Sequence, residues 1–365
     1  MTNHSQLDLI PEGTVFTPGN ITFYADPETR SLDDAIRDAD VLVSCPHSGA
    51  AIPAELAEFL APEFTKRLQY DFSDVATSAI VRRWAEIDPR IVYVENPHPR
   101  MIRDPNRAKP ADPRPQLREA IERVRAAGAW NKVDLTGVDA IRPVTFSFFP
   151  LLVVPETDAE LERLVDAFAE VAERGLGVYE ATRDELTERF LAEKLSTGGS
   201  FSRLSFHDTM NHTTTRAGAV NVERDPKDRL PNVVSLSNRG DADGNERTPD
   251  DPATMPGDRI RALAAAHRTA FVVADPADVS LNQPYLGSQE ILSAGARFRE
   301  LAAEADAAGL ELNAVQAEFL REFLLGGPNA RALNEPGTDW IEEDPAHVDA
   351  IARACQRAWD AYRDR

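Results

Sequence analysis

The chain has 365 residues, of which 42% are hydrophobic and 28% are charged, as expected for a globular protein of one large domain or two ordinary ones. Its formal net charge of −21 argues against nucleic acids and anionic membranes as partners. The two cysteines are too few for a disulfide framework and fit a reducing compartment. The sequence has neither a signal-peptide pattern nor a run of roughly 18 apolar residues, so we expect a cytoplasmic protein.

The hydrophobic pattern predicts strands and helices that alternate along the chain. Predicted strands cover residues 21–24, 41–45, 91–94, 204–206, 233–236, 271–274 and 312–319. Predicted helices cover residues 54–68 and 74–87, two helices within 157–195, and then residues 294–308 and 344–362. This alternation is typical of an α/β fold with a mixed, largely parallel sheet.

No internal repeat and no linker divides the chain into separate domains. Residues 1–38 are polar and contain several prolines and glycines, and they are predicted to form an N-terminal extension. Residues 39–365 are predicted to form a single α/β domain. Within it, residues 108–150 and 238–258 are predicted insertions that lie over a functional site.

An arginine-rich segment, residues 100–107, follows one of the predicted strands. It contains three arginines together with Asp104 and Asn106. The planar arginine fork matches a carboxylate, asparagine adds two more N–H donors, and an aspartate can hold an arginine in place. The segment therefore fits a carboxylate-binding site. A solvated surface loop with internal salt bridges is the alternative interpretation.

Two histidines follow predicted strands, His47 in Pro46-His47-Ser48-Gly49 and His207 in Ser205-Phe206-His207. Functional groups of open α/β sheets lie at the carboxyl ends of the strands, so both rings are expected to reach one crevice. Each could bind a metal ion through a ring nitrogen, or could simply end its strand in a turn. Cys45 precedes His47, and strand alternation places it in the core rather than at the site. His212 is predicted to be a loop residue.

Two aspartates, Asp71 and Asp74, open a predicted helix. Either could cap the helix. Either could instead supply the carboxylate of the two-histidine, one-carboxylate set that is usual in catalytic zinc sites. The sequence leaves open which of the two would do so.

A glutamate, Glu318, lies within an apolar run near the end of the chain. Strand alternation would place Gln316 on the same face, and a carboxylate in such a setting suits general-base chemistry. A surface glutamate is the alternative.

Asn282 belongs to a proline-containing loop that either lines a pocket or forms an ordinary turn. The sequence contains no G-x-S-x-G, Walker or H-E-x-x-H motif.

Taken together, these motifs resemble those of the N-formylglutamate amidohydrolase (formylglutamate deformylase) family. The resemblance spans roughly residues 40–325 in the family's order, with Pro46-His47-Ser48-Gly49 and Ile52-Pro53, Arg100-x-x-x-Asp104-x-Asn106-Arg107, Ser205-Phe206-His207, Leu230-Pro231-Asn232 with Asp243-Gly244, Asn282-x-Pro284-x-x-Gly287, and Gln316-x-Glu318.

The resemblance implies a three-layer α/β/α sandwich around a mixed, largely parallel sheet, the phosphorylase/hydrolase-like fold of zinc carboxypeptidases and aspartoacylases. It implies that residues 39–365 are catalytic and that the reaction is amide hydrolysis beside a free carboxylate of a small molecule. It also implies one divalent metal ion, expected to be Zn²⁺, held by His47, His207 and either Asp71 or Asp74.

Further site residues follow from the resemblance by position. Arg100 is expected to polarise the scissile carbonyl and Glu318 to act as general base. The substrate-binding residues are expected to be Asp104, Asn106, Arg107 and Asn282. Arg103 has no role in this scheme and is predicted to face solvent.

The sequence also departs from the family pattern at two places. Pro105 replaces the usual aliphatic residue, and the region near Tyr179 and Glu180 lacks a histidine that formylglutamate enzymes often carry. The departures suggest another N-formylated or N-acylated acid as substrate. The alternatives are an N-acyl amino acid deacylase or a carboxypeptidase-type peptidase of the same clan, and a non-catalytic carboxylate-binding homologue.

Overall fold

The computed structural model of the chain describes residues 7–128 and 130–364. Within these ranges, no helix combines the length and the apolar character needed to cross a membrane. The helices are α1 (Pro18–Ile21), α2 (Leu32–Asp38), α3 (Lys66–Asp71), α4 (Ala76–Ile87), α5 (Pro113–Ala127), α6 (Asp158–Glu173), α7 (Leu176–Thr197), α8 (Gly257–Ala270), α9 (Gln289–Glu300), α10 (Ala302–Ala308), α11 (Arg321–Leu325), α12 (Gly327–Leu333) and α13 (Pro345–Arg363).

The strands of the described residues form one large sheet and two small ones. They are β1 (Leu9–Ile10), β2 (Thr22–Phe23), β3 (Val41–Cys45), β4 (Ile52–Pro53), β5 (Ile91–Glu95), β6 (Gly199–Thr209), β7 (His212–Thr214), β8 (Val220–Glu223), β9 (Val234–Ser237), β10 (Val279–Leu281) and β11 (Leu310–Leu320). The large sheet has the order β10-β9-β11-β6-β3-β5-β2. Its pairs are parallel except for β11 with β9 and β2 with β5.

Helices cover both faces of this sheet. On one face, α4, α8 and α13 pack against alternate residues of the central strands, such as Val43 and Phe206. On the other face, α2, α7, α9 and α10 pack against the intervening residues, such as Leu42 and Phe201. Both faces are therefore buried, as in other α/β proteins. The predicted α/β fold with a mixed, largely parallel sheet is confirmed.

The face that lies against α7 and α9 changes from apolar to polar along the strands. Leu42 and Phe201 occupy its apolar part, and the later positions on the same face are polar. Ladder pairing aligns these polar residues in two rows across the sheet, Ser44–Ser205–Gln316–Ser237 and His207–Glu318–Ser235. Since side chains alternate between faces, the intervening residues lie on the opposite face, where apolar side chains such as Val43, Phe206 and Phe319 predominate.

The segment that the sequence predicts as an insertion, residues 108–150, contains α5 and a long loop. Its apolar residues pack with α6 and with Met101 and Ile102 in a cluster outside the sheet, and Leu117, Ile121 and Phe149 are among its members. This packing holds the loop after α5 beside the arginine-rich segment. The loop thereby borders the carboxyl ends of the strands.

Two predicted elements are wrong in detail. The predicted helix over residues 54–68 is a 3₁₀ helix at Ala54–Phe59 followed by α3, because Pro62 lacks an N–H and Leu60 forms a bridge with Leu152. The predicted strand over residues 271–274 is the turn that closes α8. Its Phe271 N–H and Val273 N–H donate to carbonyl groups of α8, so they cannot join a strand ladder.

A buried histidine of α8, His267, should make folding stability sensitive to acid. Its Nδ1 lies 2.9 Å from the Leu263 carbonyl oxygen, and burial lowers the pKa of His267 to about 4. Between pH 6.5 and pH 4 the unfolded chain binds a proton at this histidine that the folded chain does not. The free energy of unfolding is therefore highest above pH 6.5 and falls as the pH is lowered to 4.

We expect His267→Phe to reduce this acid sensitivity, because the substitution removes the group that titrates. A phenylalanine ring suits the position, since the ring of Phe319 already packs nearby. Between pH 7 and pH 4.5 the variant should lose about 2–3 kcal/mol less unfolding free energy than the wild type. Urea unfolding at both pH values measures the difference. Equal losses in the two proteins would contradict the expectation.

Candidate active site

Two histidines and one aspartate meet at the carboxyl ends of the central strands. His47 follows β3, His207 lies near the end of β6, and Asp74 precedes α4. The Oδ2 atom of Asp74 is 3.2 Å from Nδ1 of His47 and 2.9 Å from Nδ1 of His207. All three side chains are buried, and one ligand atom of each lies within 4.8 Å of the others. The structure thus brings together three of the four predicted metal ligands.

The fourth predicted ligand, Asp71, lies outside this group. Its Oδ2 accepts a hydrogen bond from Thr214 Oγ1 at 2.8 Å, and its Oδ1 is 3.9 Å from Nη1 of Arg321. Burial raises the pKa of Asp71, although the Arg321 charge opposes this. Of the two aspartates that the sequence leaves open, Asp74 is the one that faces both histidines.

A second aspartate, Asp104, orients the ring of His47. Its Oδ1 is 2.7 Å from Nε2 of His47, and its Oδ2 pairs with Arg100. Burial alone would raise the pKa of Asp104, but Arg100 and His47 hold it well below its ordinary value. An ionised carboxylate can only accept hydrogen bonds, so the hydrogen lies on Nε2 and Nδ1 is directed at Asp74. Histidines that bind metals are commonly oriented in this way.

The donor set fits a divalent metal ion. Burial opposes ionisation of Asp74, but the neighbouring His47 and His207 hold the pKa of Asp74 well below its ordinary value. An anionic oxygen and two ring nitrogens therefore converge in one buried space, and only protons or a cation can balance them. Two nitrogens and one carboxylate oxygen are the protein ligands of many catalytic zinc sites.

The side chain of Arg100 borders this group. Its Nη1 is 3.8 Å from Oδ1 of Asp74, and its guanidinium carbon lies 5.6 Å and 4.7 Å from the ring centres of Phe72 and Phe146. Its Nε is buried and has no hydrogen-bond partner among the described residues. Arg100 is thus a fixed positive charge that retains a free donor beside the histidines.

The residues predicted to clamp a substrate carboxylate, Asn106 and Arg107, are engaged by protein groups. The Nε of Arg107 donates to Asp139 Oδ2 at 2.8 Å, and its Nη1 donates to the Asn106 carbonyl oxygen at 3.2 Å. The Oδ1 of Asn106 accepts a hydrogen bond from the backbone N–H of Glu290 at 3.3 Å. Asp139 was not anticipated from the sequence.

A second arginine that the sequence analysis did not single out, Arg142, lies in the same region. It donates to the carbonyl oxygens of Val144 and Thr145 at 3.2 Å and 3.4 Å, and its guanidinium carbon is 4.5 Å from the ring centre of Phe146. No carboxylate of the described residues lies within ion-pair distance of it. Burial and the charge of Arg100 lower the pKa of Arg142 to about 10. Its only sequence signal was its position within a predicted insertion.

Glu318 lies beside His207 in the sheet, at the paired position of β11. Its Oε1 accepts a hydrogen bond from Thr209 Oγ1 at 2.7 Å, and its Oε2 accepts one from Gln316 Nε2 at 3.0 Å. Gln316 is held in turn by Ser288, whose N–H and hydroxyl both donate to its Oε1 at 3.2 Å. The carboxylate of Glu318 is therefore buried, oriented and next to the histidine pair.

The side chain of Asn282 serves a neighbouring loop. Its Oδ1 accepts a hydrogen bond from the Asn238 N–H at 2.9 Å, and its Nδ2 donates to Asn238 Oδ1 and to the Asp241 carbonyl oxygen. Through these hydrogen bonds the Asn282 side chain stabilises the loop of residues 238–241. Within residues 7–128 and 130–364, its side-chain hydrogen bonds join it to residues 238–241 and not to the histidine pair.

The structure corrects two interpretations and supports one. Arg103 does not face solvent, because its Nη2 is 2.6 Å from Oε2 of Glu180 and the side chain is buried under α7. Cys45 lies in the core as predicted, where burial raises the pKa of its thiol. His212 was predicted to be a loop residue, but it begins the short strand β7, because it pairs with Glu223 of β8. Its Nδ1 is 3.0 Å from Glu322, away from the histidine–aspartate group.

Sequence reasoning also missed Glu290, the second residue of α9. Its carboxylate is buried behind the sheet and accepts hydrogen bonds from the side chains of Ser44, Ser205, Tyr179 and Arg183. Burial opposes ionisation, but Arg183 and Arg203 lower the pKa of Glu290 to about 2. A glutamate in the first turn of a helix is ordinarily exposed, so nothing in the sequence indicated this position.

One family of known proteins matches most of the chain. The family model described as N-formylglutamate amidohydrolase matches residues 39–324. A solved structure of N-formylglutamate amidohydrolase from Ralstonia eutropha JMP134 is 21% identical, with 90% of this chain and 95% of that chain covered and a TM-score of 0.49. A gene product from Agrobacterium tumefaciens is 17% identical, with 93% and 97% covered and a TM-score of 0.43. No curated protein sequence shows significant similarity to the chain.

The family model spans most of the chain and includes every residue of the histidine–aspartate group. The chain belongs to the N-formylglutamate amidohydrolase family and is a hydrolase that acts on amide C–N bonds.

Proposed function

We propose that the protein is a metal-dependent amidohydrolase that removes an N-formyl or N-acyl group from a small molecule bearing a carboxylate. The observation that carries this proposal is the buried convergence of His47, Asp74 and His207 beside the fixed charge of Arg100. Metal-ligand chemistry and an anion-stabilising group are thereby adjacent, as hydrolysis of an amide requires.

The two histidines and Asp74 would hold one divalent ion, for which Zn²⁺ is the best match to the ligand types. When bound, such an ion supplies Lewis-acid polarisation to water and to the substrate carbonyl. The protein's own contribution is to orient the ring nitrogens, as Asp104 does for His47, and to exclude bulk water from a buried group.

Glu318 is proposed as the general base. Each of its two carboxylate oxygens accepts one hydrogen bond, from Thr209 or from Gln316. Each oxygen of an ionised carboxylate has a further lone pair that can accept a proton. Either oxygen could therefore take a proton from the attacking water and return it to the leaving amine. Arg100, with its unpaired Nε, would stabilise the negative charge that develops on the carbonyl oxygen.

We propose Arg142, together with Asn106 and Arg107, as the binding site for the substrate carboxylate. Arg107 is already paired with Asp139, whereas among the described residues the Arg142 guanidinium donates to two carbonyl oxygens and packs on a ring, with no carboxylate at ion-pair distance. A cation beside two other arginines is stabilised by an incoming anion. The local positive charge also counters the long-range repulsion that a protein of net charge −21 exerts on an acidic substrate.

The ring of Phe146 favours a second candidate, N-acyl amino acid deacylation. This side chain is 44% exposed, and it packs 5.3 Å from Phe72, next to Arg100. An exposed apolar surface at that place could contact an acyl group larger than formyl. Turnover of a matched series of N-formyl, N-acetyl and longer N-acyl amino acids distinguishes the two candidates.

Replacing His47 should abolish metal binding. We expect wild-type protein to contain about one zinc per chain and His47→Ala to contain almost none, because a ligand is lost from a three-ligand set. Elemental analysis of the purified proteins is the measurement. His212→Ala, which changes a histidine paired with Glu322, is the control and should retain zinc. Metal-free wild-type protein would instead favour a non-catalytic carboxylate-binding homologue.

Replacing Glu318 should separate binding from turnover. Glu318→Gln keeps the size of the side chain but removes the basic oxygen, so kcat should fall about 10²–10⁴-fold, with zinc content and KM little changed. Glu322→Gln is a suitable control, since that residue contacts Asn211 and His212 outside the histidine–aspartate group. Near wild-type kcat in Glu318→Gln would rule out its role as base.

Replacing Arg142 should weaken binding of acidic substrates. A charge-assisted hydrogen bond contributes about 1.5–3 kcal/mol, so KM for an N-formyl amino acid should rise about 10–100-fold in Arg142→Gln. The same substitution should hardly affect an analogue whose carboxylate is replaced by an amide. Arg216→Gln removes an arginine that also stacks on an aromatic ring, Trp130, and should leave both substrates unaffected. Equal losses with both substrates in Arg142→Gln would argue against carboxylate recognition.

A further inference from the structure

We propose that Glu290 is a positioning residue that acts through the hydroxyl of Ser205 to make Nδ1 of His207 the nitrogen that binds the metal ion. This inference rests on the metal site of the proposed function and extends it to a residue that touches neither metal nor substrate. A chain of hydrogen bonds runs from Glu290 through Ser205 to His207, and the donors and acceptors around Glu290 determine its direction.

The carboxylate of Glu290 accepts two hydrogen bonds on each oxygen. Its Oε1 accepts from the Tyr179 hydroxyl at 2.5 Å and from Nη1 of Arg183 at 2.8 Å. Its Oε2 accepts from the hydroxyl groups of Ser44 at 2.6 Å and Ser205 at 2.9 Å. The side chain is buried, so water does not substitute for any of these partners.

The direction of the Ser205 hydrogen bond follows from this arrangement. An ionised carboxylate only accepts, and a serine hydroxyl has a single hydrogen. The Ser205 hydrogen must therefore point to Glu290. Its oxygen is 2.8 Å from Nε2 of His207, and at that contact it can act only as an acceptor. The hydrogen shared between Ser205 and His207 consequently belongs to Nε2.

The consequence for His207 is that Nδ1 is the nitrogen available to a metal ion. This is the atom that lies 2.9 Å from Oδ2 of Asp74. The arrangement matches that of His47, whose Nε2 is held by Asp104 and whose Nδ1 faces the same oxygen. One histidine is oriented by a carboxylate directly and the other through a serine, and both present the same ring atom.

The position of Glu290 also connects the metal group with the arginine-rich segment. Its backbone N–H donates to Oδ1 of Asn106 at 3.3 Å, while its side chain reaches Ser205 across the sheet. Because Ser44 and Ser205 occupy paired positions of β3 and β6, the same carboxylate joins the two strands that lead to His47 and His207. Glu290 is thus placed to orient the site without contacting the reacting atoms.

The variant Glu290→Gln should reverse the hydrogen-bond direction. The new amide oxygen has to face Tyr179 and Arg183, since arginine only donates, and the amide nitrogen then donates to Ser44 and Ser205. Ser205 would turn its hydrogen towards Nε2 of His207, leaving the ring hydrogen on Nδ1. We expect the affinity for Zn²⁺ to fall about 10–100-fold, measured by competition with a chromophoric chelator on the full-length protein.

Two further variants separate positioning from general damage to the structure. Ser205→Ala removes the relay and should lower Zn²⁺ affinity to a similar extent. Ser44→Ala removes an equivalent hydrogen bond to the same Glu290 oxygen without touching His207, and should change the affinity less than about 2-fold. A loss in Ser44→Ala as large as in Ser205→Ala would overturn the relay and indicate a purely structural effect.

Nitrogen NMR of protein labelled with ¹⁵N in its histidines supplies a readout that structural damage would not imitate. In Zn²⁺-loaded wild type, Nε2 of His207 should carry the hydrogen and Nδ1 the metal. Metal on Nε2, or full Zn²⁺ affinity in both Glu290→Gln and Ser205→Ala, overturns this inference alone. Failure of the wild type to bind Zn²⁺ overturns the proposed metal site as well, so the two failures are distinguishable.

Discussion

Buried negative charge is the constraint on which the rest of this site depends. Asp74, Asp104 and Glu290 are almost without solvent contact, and an isolated carboxylate in such surroundings is strongly destabilised. Each is matched by a different group: Asp74 faces the histidine pair, Asp104 pairs with Arg100, and Glu290 pairs with Arg183. Arg100 lies only four residues from Asp104, but His207 and Arg183 are distant in the chain from Asp74 and Glu290. Satisfying these two carboxylates therefore also places segments that surround the site.

The alternation of side chains along the strands allows one sheet to serve as both core and active-site floor. On the face toward α4, α8 and α13, apolar residues such as Phe206 and Phe319 continue toward the carboxyl ends of the central strands, and the buried Asp208 at the end of β6 is paired with Arg321. The opposite face is apolar at the beginning of the strands and carries serines, a histidine and a glutamate at their carboxyl ends. A change on one face is insulated from the other, so the polar rows can be present without disrupting the larger core.

Much of the site was predictable from local pattern, and the failures have a common physical cause. His47 and His207 were found because each follows a strand, and Glu318 because it interrupts an apolar run. Arg103 was misjudged because its partner Glu180 lies on a helix far along the chain. Asp71 and Asp74 could not be separated, since both open the same helical region and only their spatial neighbours differ. Arg142 and Glu290 went unnoticed because no local pattern marks them.

The sequence by itself determined the fold class, the family and the types of side chain that gather at the strand ends. Periodicity, strand termini and motif order are properties of the sequence itself. They can be recognised without knowing which segments are in contact in the folded chain. Only the tertiary structure decided the partners. It shows that Asp74 faces the histidines, that Arg142 has no carboxylate at ion-pair distance within the described part of the chain, and that Glu290 holds Ser205. The hydrogen bonds that settle these questions join residues far apart in the chain, such as His207 with Asp74 at a separation of 133 and Glu290 with Ser44 at a separation of 246. Chain folding, rather than local sequence, brings such groups within hydrogen-bond distance.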